Sequence, residues 1–175
     1  MLLISIILLL NKFQVVETHK IINEKIIEFE SICKNDRLEK YYDLALLKNK
    51  EIEGGYSIHG LWPEYDKKHY PSYCHKTEFY EKEIQPIEDL MHKYWRSTIK
   101  PRNDTYFWEH EWKKHGVCMY EKMTEFEYFN KTLSLFFQAQ ANNFFEECPN
   151  YYINNQNTKS RGCMLPLDLN FKFII

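Results

Sequence analysis

Glycine and proline are scarce in this chain, 5 and 6 of 175 residues. Collagenous and low-complexity linker architectures are thereby excluded, and each glycine carries positional meaning. A cationic excess is also missing: 23 Lys and Arg stand against 25 Asp and Glu, a net charge of −2. Attraction to a polyanion through total charge is excluded, so a nucleic-acid partner needs a local site. Long apolar runs are absent. Residues 2–10 are nine positions without a charge, against the ~20 that span a bilayer. No Cys-x-x-Cys spacing occurs, which argues against a structural zinc ribbon.

The short apolar run fits the ~7–15-residue core of a secretory signal. The expectation is a signal peptide over 1–18, cut between Asn11 and His19. Lys12 and Glu17 leave with it and cancel, so the net charge is unchanged. A secreted chain is allowed disulfides. The cysteines are Cys33, Cys74, Cys118, Cys148 and Cys163. An odd number means that at least one stays free, joins another chain or has lost its partner. The sequons at Asn103 and Asn130 predict surface glycosylation.

Hydrophobic residues make up 44%, aromatics 17% and charged residues 27%, which predicts one globular domain over 19–175. The 13 Tyr, 12 Phe and 4 Trp can fill a core or stack on bases. Residues 21–29 read as helix or disorder, and 41–47 as a strand. Gly54-Gly55 makes a turn, and 56–59 is a short strand stopped by Gly60 and Pro63. Residues 66–76 are a polar loop. Pro86 opens a helix whose buried face is Ile87, Leu90, Met91, Tyr94 and Trp95. Asp104 or Thr105 caps a second helix through Trp108, Trp112 and His115, ended by a left-handed Gly116. Thr124 and Glu127 form a capping box for a third helix with a stripe of Phe126, Phe129, Leu133, Phe136, Phe137 and Gln140. Residues 148–162 read as an Asn-rich loop, and 164–175 as one or two strands. The predicted class is α+β: a small antiparallel sheet packed with about three helices.

Two segments carry chemistry, Ser57-Ile58-His59-Gly60-Leu61-Trp62-Pro63 and Trp108-Glu109-His110-Glu111-Trp112-Lys113-Lys114-His115-Gly116. They hold three of seven histidines and three of four tryptophans, a concentration that composition does not require. On a helix Glu111 and His115 share a face, with Lys114 beside them and His110 on the adjacent stripe. Glu111 next to His115 is expected to raise its pKa and orient its ring. Lys114 and His110 suit a phosphate. If His59 faces His115 across a cleft, the pair supplies one base and one acid. That is the minimum for attack of a ribose 2′-hydroxyl on its neighbouring phosphate. No metal is called for, because the nucleophile lies inside the substrate. Spacing does not say which histidine is the base.

Other readings exist for the same residues. A helix edge of Glu, Lys and His is often a solvated face. His-Glu-x-x-x-His is one residue longer than the zincin motif and sets its histidines about 140° apart, which disfavours zinc. Trp62-Pro63 fits a packed loop as well as a base platform. Trp108 and Trp112 fit a site wall or a core anchor. His19, His69, His75 and His92 have no acid or metal-spaced partner, although His69 or His75 could lie near the site.

The two segments, extended to Cys118, resemble the two active-site motifs of the ribonuclease T2 family, in the same order. The resemblance runs from about residue 41 to the C-terminus. It implies an α+β endoribonuclease that cuts single-stranded RNA to 2′,3′-cyclic phosphate ends. His115 would be the general base and His59 the general acid. Glu111 and Lys114 would stabilise the pentacovalent phosphate, His110 would bind phosphate, and Trp62 would stack on a base. Cys74 and Cys118 match a family bridge, Cys148 and Cys163 the second pair, and Cys33 is left over. Glu64 stands where the family often has Asp, which bears on base preference. The Trp-Pro pair and cysteine that usually follow the first strand are missing. The implied partner is single-stranded RNA, with no cofactor or metal and no stable membrane association after signal cleavage. The expected protein is a monomer, secreted or in the lumen of an acidic compartment. A binding or effector protein of the same fold with little turnover is the alternative.

Overall fold

The computed structural model describes residues 40–65, 69–98, 101, 103–146, 151–155 and 158–174, with backbone alone at 151–161. The expectations for the signal peptide, residues 21–29, Cys33 and Cys148 lie outside the described residues. A four-stranded antiparallel sheet is ordered β2-β1-β4-β3, with β1 Tyr41–Lys48, β2 Tyr56–Glu64, β3 Tyr151–Asn155 and β4 Thr158–Leu167. β1 is buried on both faces: all residues from Tyr42 to Leu47, Asp43 included, lie buried between its two neighbours. The turn to β2 uses Gly54 and Gly55 at φ +87° and +73°, a region that side chains disfavour.

β2 does not stop at Gly60 or Pro63 but continues to Glu64. Pro63 is tolerated because, among the described residues, β2 is an edge strand, where no second neighbour asks for its missing N–H. Partnering slips between Ala45 and Leu46: Gly60 lies opposite Ala45 and Ile58 opposite Leu46. His59 is thus the extra residue of a β-bulge, a device that re-aims a side chain.

The Asn-rich segment is a hairpin rather than a loop, since Asn154 pairs Lys159 and Asn155 pairs Thr158. Ladder bonds hold this outer strand, so it needs no apolar alternation to be a strand. β4 ends at Leu167, and a bridge of Leu167 to Phe173 closes a turn in which Asp168 Oδ1 accepts the N–H groups of Asn170 and Lys172. Leu169 is consequently exposed, not part of an alternating strand.

The first helical region begins before Pro86, as α1 Glu81–Ile84, a 3-10 turn Gln85–Ile87 and α2 Glu88–Tyr94. Pro86 sits in the turn, since it cannot donate the N–H that a continuous α-helix uses. Ile87, Met91 and Trp95 are buried, whereas Leu90 is exposed. α3 runs Asp104–Lys114 and is capped by Asn103, whose Oδ1 accepts the Tyr106 N–H at 2.9 Å. Asp104 is engaged elsewhere, taking the Ser97 N–H and His92 Nδ1, both at 2.8 Å. Gly116 does not adopt the left-handed region; it opens a 3-10 turn, Gly116–Cys118. A Cβ there would strike the Trp112 indole. α4, Glu125–Ala141, has the full Thr124/Glu127 capping box. Phe129, Leu133 and Phe136 are buried, with Tyr128, Thr132, Leu135 and Ala139; Phe126, Phe137 and Gln140 lie half-buried at the margins.

Candidate active site

The bulge at His59 frees its carbonyl, which accepts the Trp95 Nε1–H at 2.8 Å. Trp108 Nε1–H donates in turn to the Trp95 carbonyl at 2.7 Å. Two fully buried indoles therefore tie the bulge to the core, and Trp108 is an anchor rather than a site wall. Trp112 is also buried. On the next residues of β2, Tyr128 Oη donates to the Leu61 carbonyl at 3.1 Å, which locks the strand against α4.

α3 supplies the facing groups. Glu111 is 1% exposed, and its Oε2 accepts the Trp62 Nε1–H at 2.9 Å. Its Oε1 lies 3.7 Å from His59 Nε2. A Cβ on residue 60 would collide with both partners of the Trp62–Glu111 bond, so this close approach requires Gly60. Glu111 therefore serves His59, not His115 as the helical face suggested. The helix ends at His115, at φ −115° and ψ −46°, so the idealised i,i+4 face is not kept at its last position.

His115 meets Trp62 instead, with rings stacked at 4.9 Å and 18°. His59 meets the same indole edge-on, also at 4.9 Å. Trp62 thus contacts both imidazoles. Both His59 Nδ1 and His115 Nδ1 are buried without a hydrogen-bond partner among the described residues. Phe107 flanks His59 at 5.5 Å.

Burial decides the protonation states. It pushes His59 down to about 3, with Lys114 and His110 adding repulsion. It holds His115 well below the ordinary imidazole range, with Lys114, His59 and His110 acting in the same sense. The expected upward shift of His115 is overturned, because desolvation of the cation dominates and the carboxyl points elsewhere. Burial raises Glu111 to about 8, opposed by the Trp62 hydrogen bond and by Lys114. The site offers two neutral imidazoles and one protonated carboxyl.

The loop after β2 closes one side. Cys74 and Cys118 form a disulfide, and the Tyr73 N–H donates to the Lys114 carbonyl at 3.0 Å. Tyr70 lies beneath Lys114 Nζ at 5.6 Å and 6.2 Å from the His115 ring. Tyr73 stands edge-on to His110 at 6.5 Å. Tyr70, Tyr73 and Phe107 were not legible as site residues. The available signal was two tyrosines beside Cys74 in an otherwise polar loop.

The other sequence expectations divide. His92 does have acidic neighbours, Asp104 Oδ2 at 2.8 Å from Nδ1 and Glu88 Oε1 at 3.7 Å from Nε2. His69 and His75 are exposed. Asn103 and Asn130 are both exposed. Glu64 is buried, and its carbonyl accepts the Tyr120 hydroxyl at 2.7 Å. Cys163 is fully buried on β4. Among the described residues no helix is long and apolar enough to cross a membrane.

The Ribonuclease T2 family model matches residues 26–160. Ribonuclease DdI of Dictyostelium discoideum is 44% identical over 72 residues, 41% of this chain and 31% of that protein. Ribonuclease T2 protein rnst-2 of Caenorhabditis elegans is 34% identical over 114 residues, 61% of this chain and 39% of that protein. The match thus spans about a third of the length of these curated relatives. Human RNase T2 superposes with a TM-score of 0.57 at 20% identity, over 77% of this chain and 88% of the human chain, and shares the fold.

Proposed function

We propose that this chain, which belongs to the ribonuclease T2 family, is an endoribonuclease that cleaves single-stranded RNA by transphosphorylation. The observation that carries this reading is the contact of both His59 and His115 with Trp62, with Glu111 against His59. Neutral His115 takes the proton of the 2′-hydroxyl. The 2′-oxygen bonds to phosphorus, the bond to the 5′-oxygen breaks, and His59 delivers a proton to that oxygen. The products are a 2′,3′-cyclic phosphate and a 5′-hydroxyl. Lys114 and His110 offset charge on the phosphoryl oxygens. Trp62 and Tyr70 wall the base pocket.

His59 must be protonated to act as an acid, and burial alone opposes that. Glu111, held protonated up to about 8, lies 3.7 Å away and carries the proton that His59 needs. An incoming phosphate anion favours the imidazolium over the neutral ring, so substrate draws the proton from Glu111 to His59. No metal or cofactor enters this scheme.

The same reading covers the rest of the chain. Residues 1–18 are a signal peptide and 19–175 one catalytic domain, a secreted or acidic-lumen monomer. Cys148 and Cys163 form a second bridge. Asn103 and Asn130 carry glycans, supported by their exposure; Asn103 caps α3 through Oδ1, which leaves its amide nitrogen to the sugar. The test is cleavage of a short single-stranded RNA in EDTA, with the ends resolved and a deoxyribose at the cleavage position as control. Cyclic-phosphate ends that vanish with the 2′-hydroxyl are expected. RNA that binds and stays intact would replace this reading with a binding protein.

A further inference from the structure

Tyr73 is held in a costly conformation for no packing return. Its φ is +52°, a region where a bulky non-glycine residue is a genuine outlier. The residue is 58% exposed, so no core burial repays that strain. The surroundings nevertheless fix it twice. Its N–H is bound to the Lys114 carbonyl, and the next residue is bridged to Cys118, with the Cys74 N–H on Cys118 Sγ at 3.1 Å. The ring therefore stands outward at a defined place, beside His110 and one helical turn of α3 from Lys114.

We propose that Tyr73 is a stacking platform for a further nucleotide, outside the one whose phosphate is cleaved. This rests on the RNA-cleaving reading of the site. With the reacting phosphate at His59, His115 and Lys114, the chain continues past Lys114 to His110. The next nucleotide passes His110, whose ring lies 6.5 Å from that of Tyr73, and its base stacks on Tyr73. Tyr73 is largely exposed, and an exposed aromatic ring suits any base, which predicts preference for length rather than sequence. Tyr70 is engaged beneath Lys114 and is not the same subsite.

The experiment compares wild type, Tyr73→Asn and Tyr73→Phe. Asn accepts the left-handed backbone better than Tyr, so Y73N removes the ring while keeping or raising Tm. Binding is read by fluorescence anisotropy with a deoxydinucleotide and a deoxyhexanucleotide, neither cleavable by 2′-hydroxyl attack. Cleavage of the matching RNAs is read in parallel. Y73N is expected to bind the hexamer roughly 5- to 100-fold more weakly, the range of one stacked base, and the dimer as wild type does. Y73F should behave as wild type on both. Unchanged hexamer binding by Y73N, or an equal loss on dimer and hexamer, overturns the subsite. Failure of the wild type to cleave RNA would instead overturn the catalytic reading, while the deoxyhexamer still reports on Tyr73.

Discussion

Burial acts on His59 and Glu111 in opposite directions, and the outcome is one shared proton. With His59 near 3 and Glu111 near 8, the pair holds a single proton across the interval between. Such a pair titrates as a unit, so the alkaline limb of activity belongs to both residues. Glu111→Gln keeps an acceptor for Trp62 but cannot store the proton. The expected outcome is a lower kcat and an alkaline limb displaced to lower pH. A pH–rate profile of the variant that overlays the wild type would sink the relay. His59→Ala and His115→Ala are each expected to lower kcat/KM by about 10²–10⁴, the worth of a positioned acid or base. Far-UV circular dichroism should stay unchanged. A substrate with a weakly basic leaving group separates the two roles, because it needs no acid: it should rescue His59→Ala and leave His115→Ala inactive.

Two element ends meet at the site, the bulge of β2 and the 3-10 turn that follows α3. The Cys74–Cys118 bridge fixes the loop from β2 to that turn across a separation of 44 residues. In the chain-entropy account, closing such a loop stabilises by about 4 kcal/mol. The double variant Cys74→Ser/Cys118→Ser is expected to lose about that much in urea unfolding and to loosen Tyr73 and Lys114 together. A loss below about 1 kcal/mol would mean that the unfolded chain is already constrained here. Much of this geometry was legible. The residues of both motifs come together, and α4 begins at the predicted box because its signal is local. The bulge was not legible, since it arises from how β2 pairs with Ala45 and Leu46 of a distant strand. Glu111's choice of His59 was hidden for a related reason: an ideal helix assigns faces, but His115 terminates this one. The β3–β4 hairpin was missed because ladder bonds leave no mark in side-chain polarity.

For the molecule as a whole, the same buried groups set stability against pH. Stability rises with pH where the unfolded chain binds more protons than the folded one, and falls where it binds fewer. His59, lowered from 6.5 to about 3, and His115, also lowered, contribute stability present above 6.5 and lost as pH falls. Glu111, raised from 4.5 to about 8, contributes stability present below 4.5 and lost as pH rises through about 8. Asp43, raised by burial from 3.8 to about 6, acts like Glu111 over a lower window. Between 4.5 and 6 two groups of each sign oppose one another. Below that interval the histidines prevail and acid destabilises; above 6.5 Glu111 acts alone and alkali destabilises. The RNA-free protein is therefore expected to show its highest Tm near pH 6 to 6.5 and a decline toward 8. Glu111→Gln should abolish the decline between 6.5 and 8 and make stability rise with pH between 4.5 and 6, where the two histidines then outweigh Asp43. A wild-type Tm that climbs steadily from 6.5 to 8 would show that Glu111 is ionised in the folded site. His59 would then be drawing its proton from solvent rather than from its neighbour.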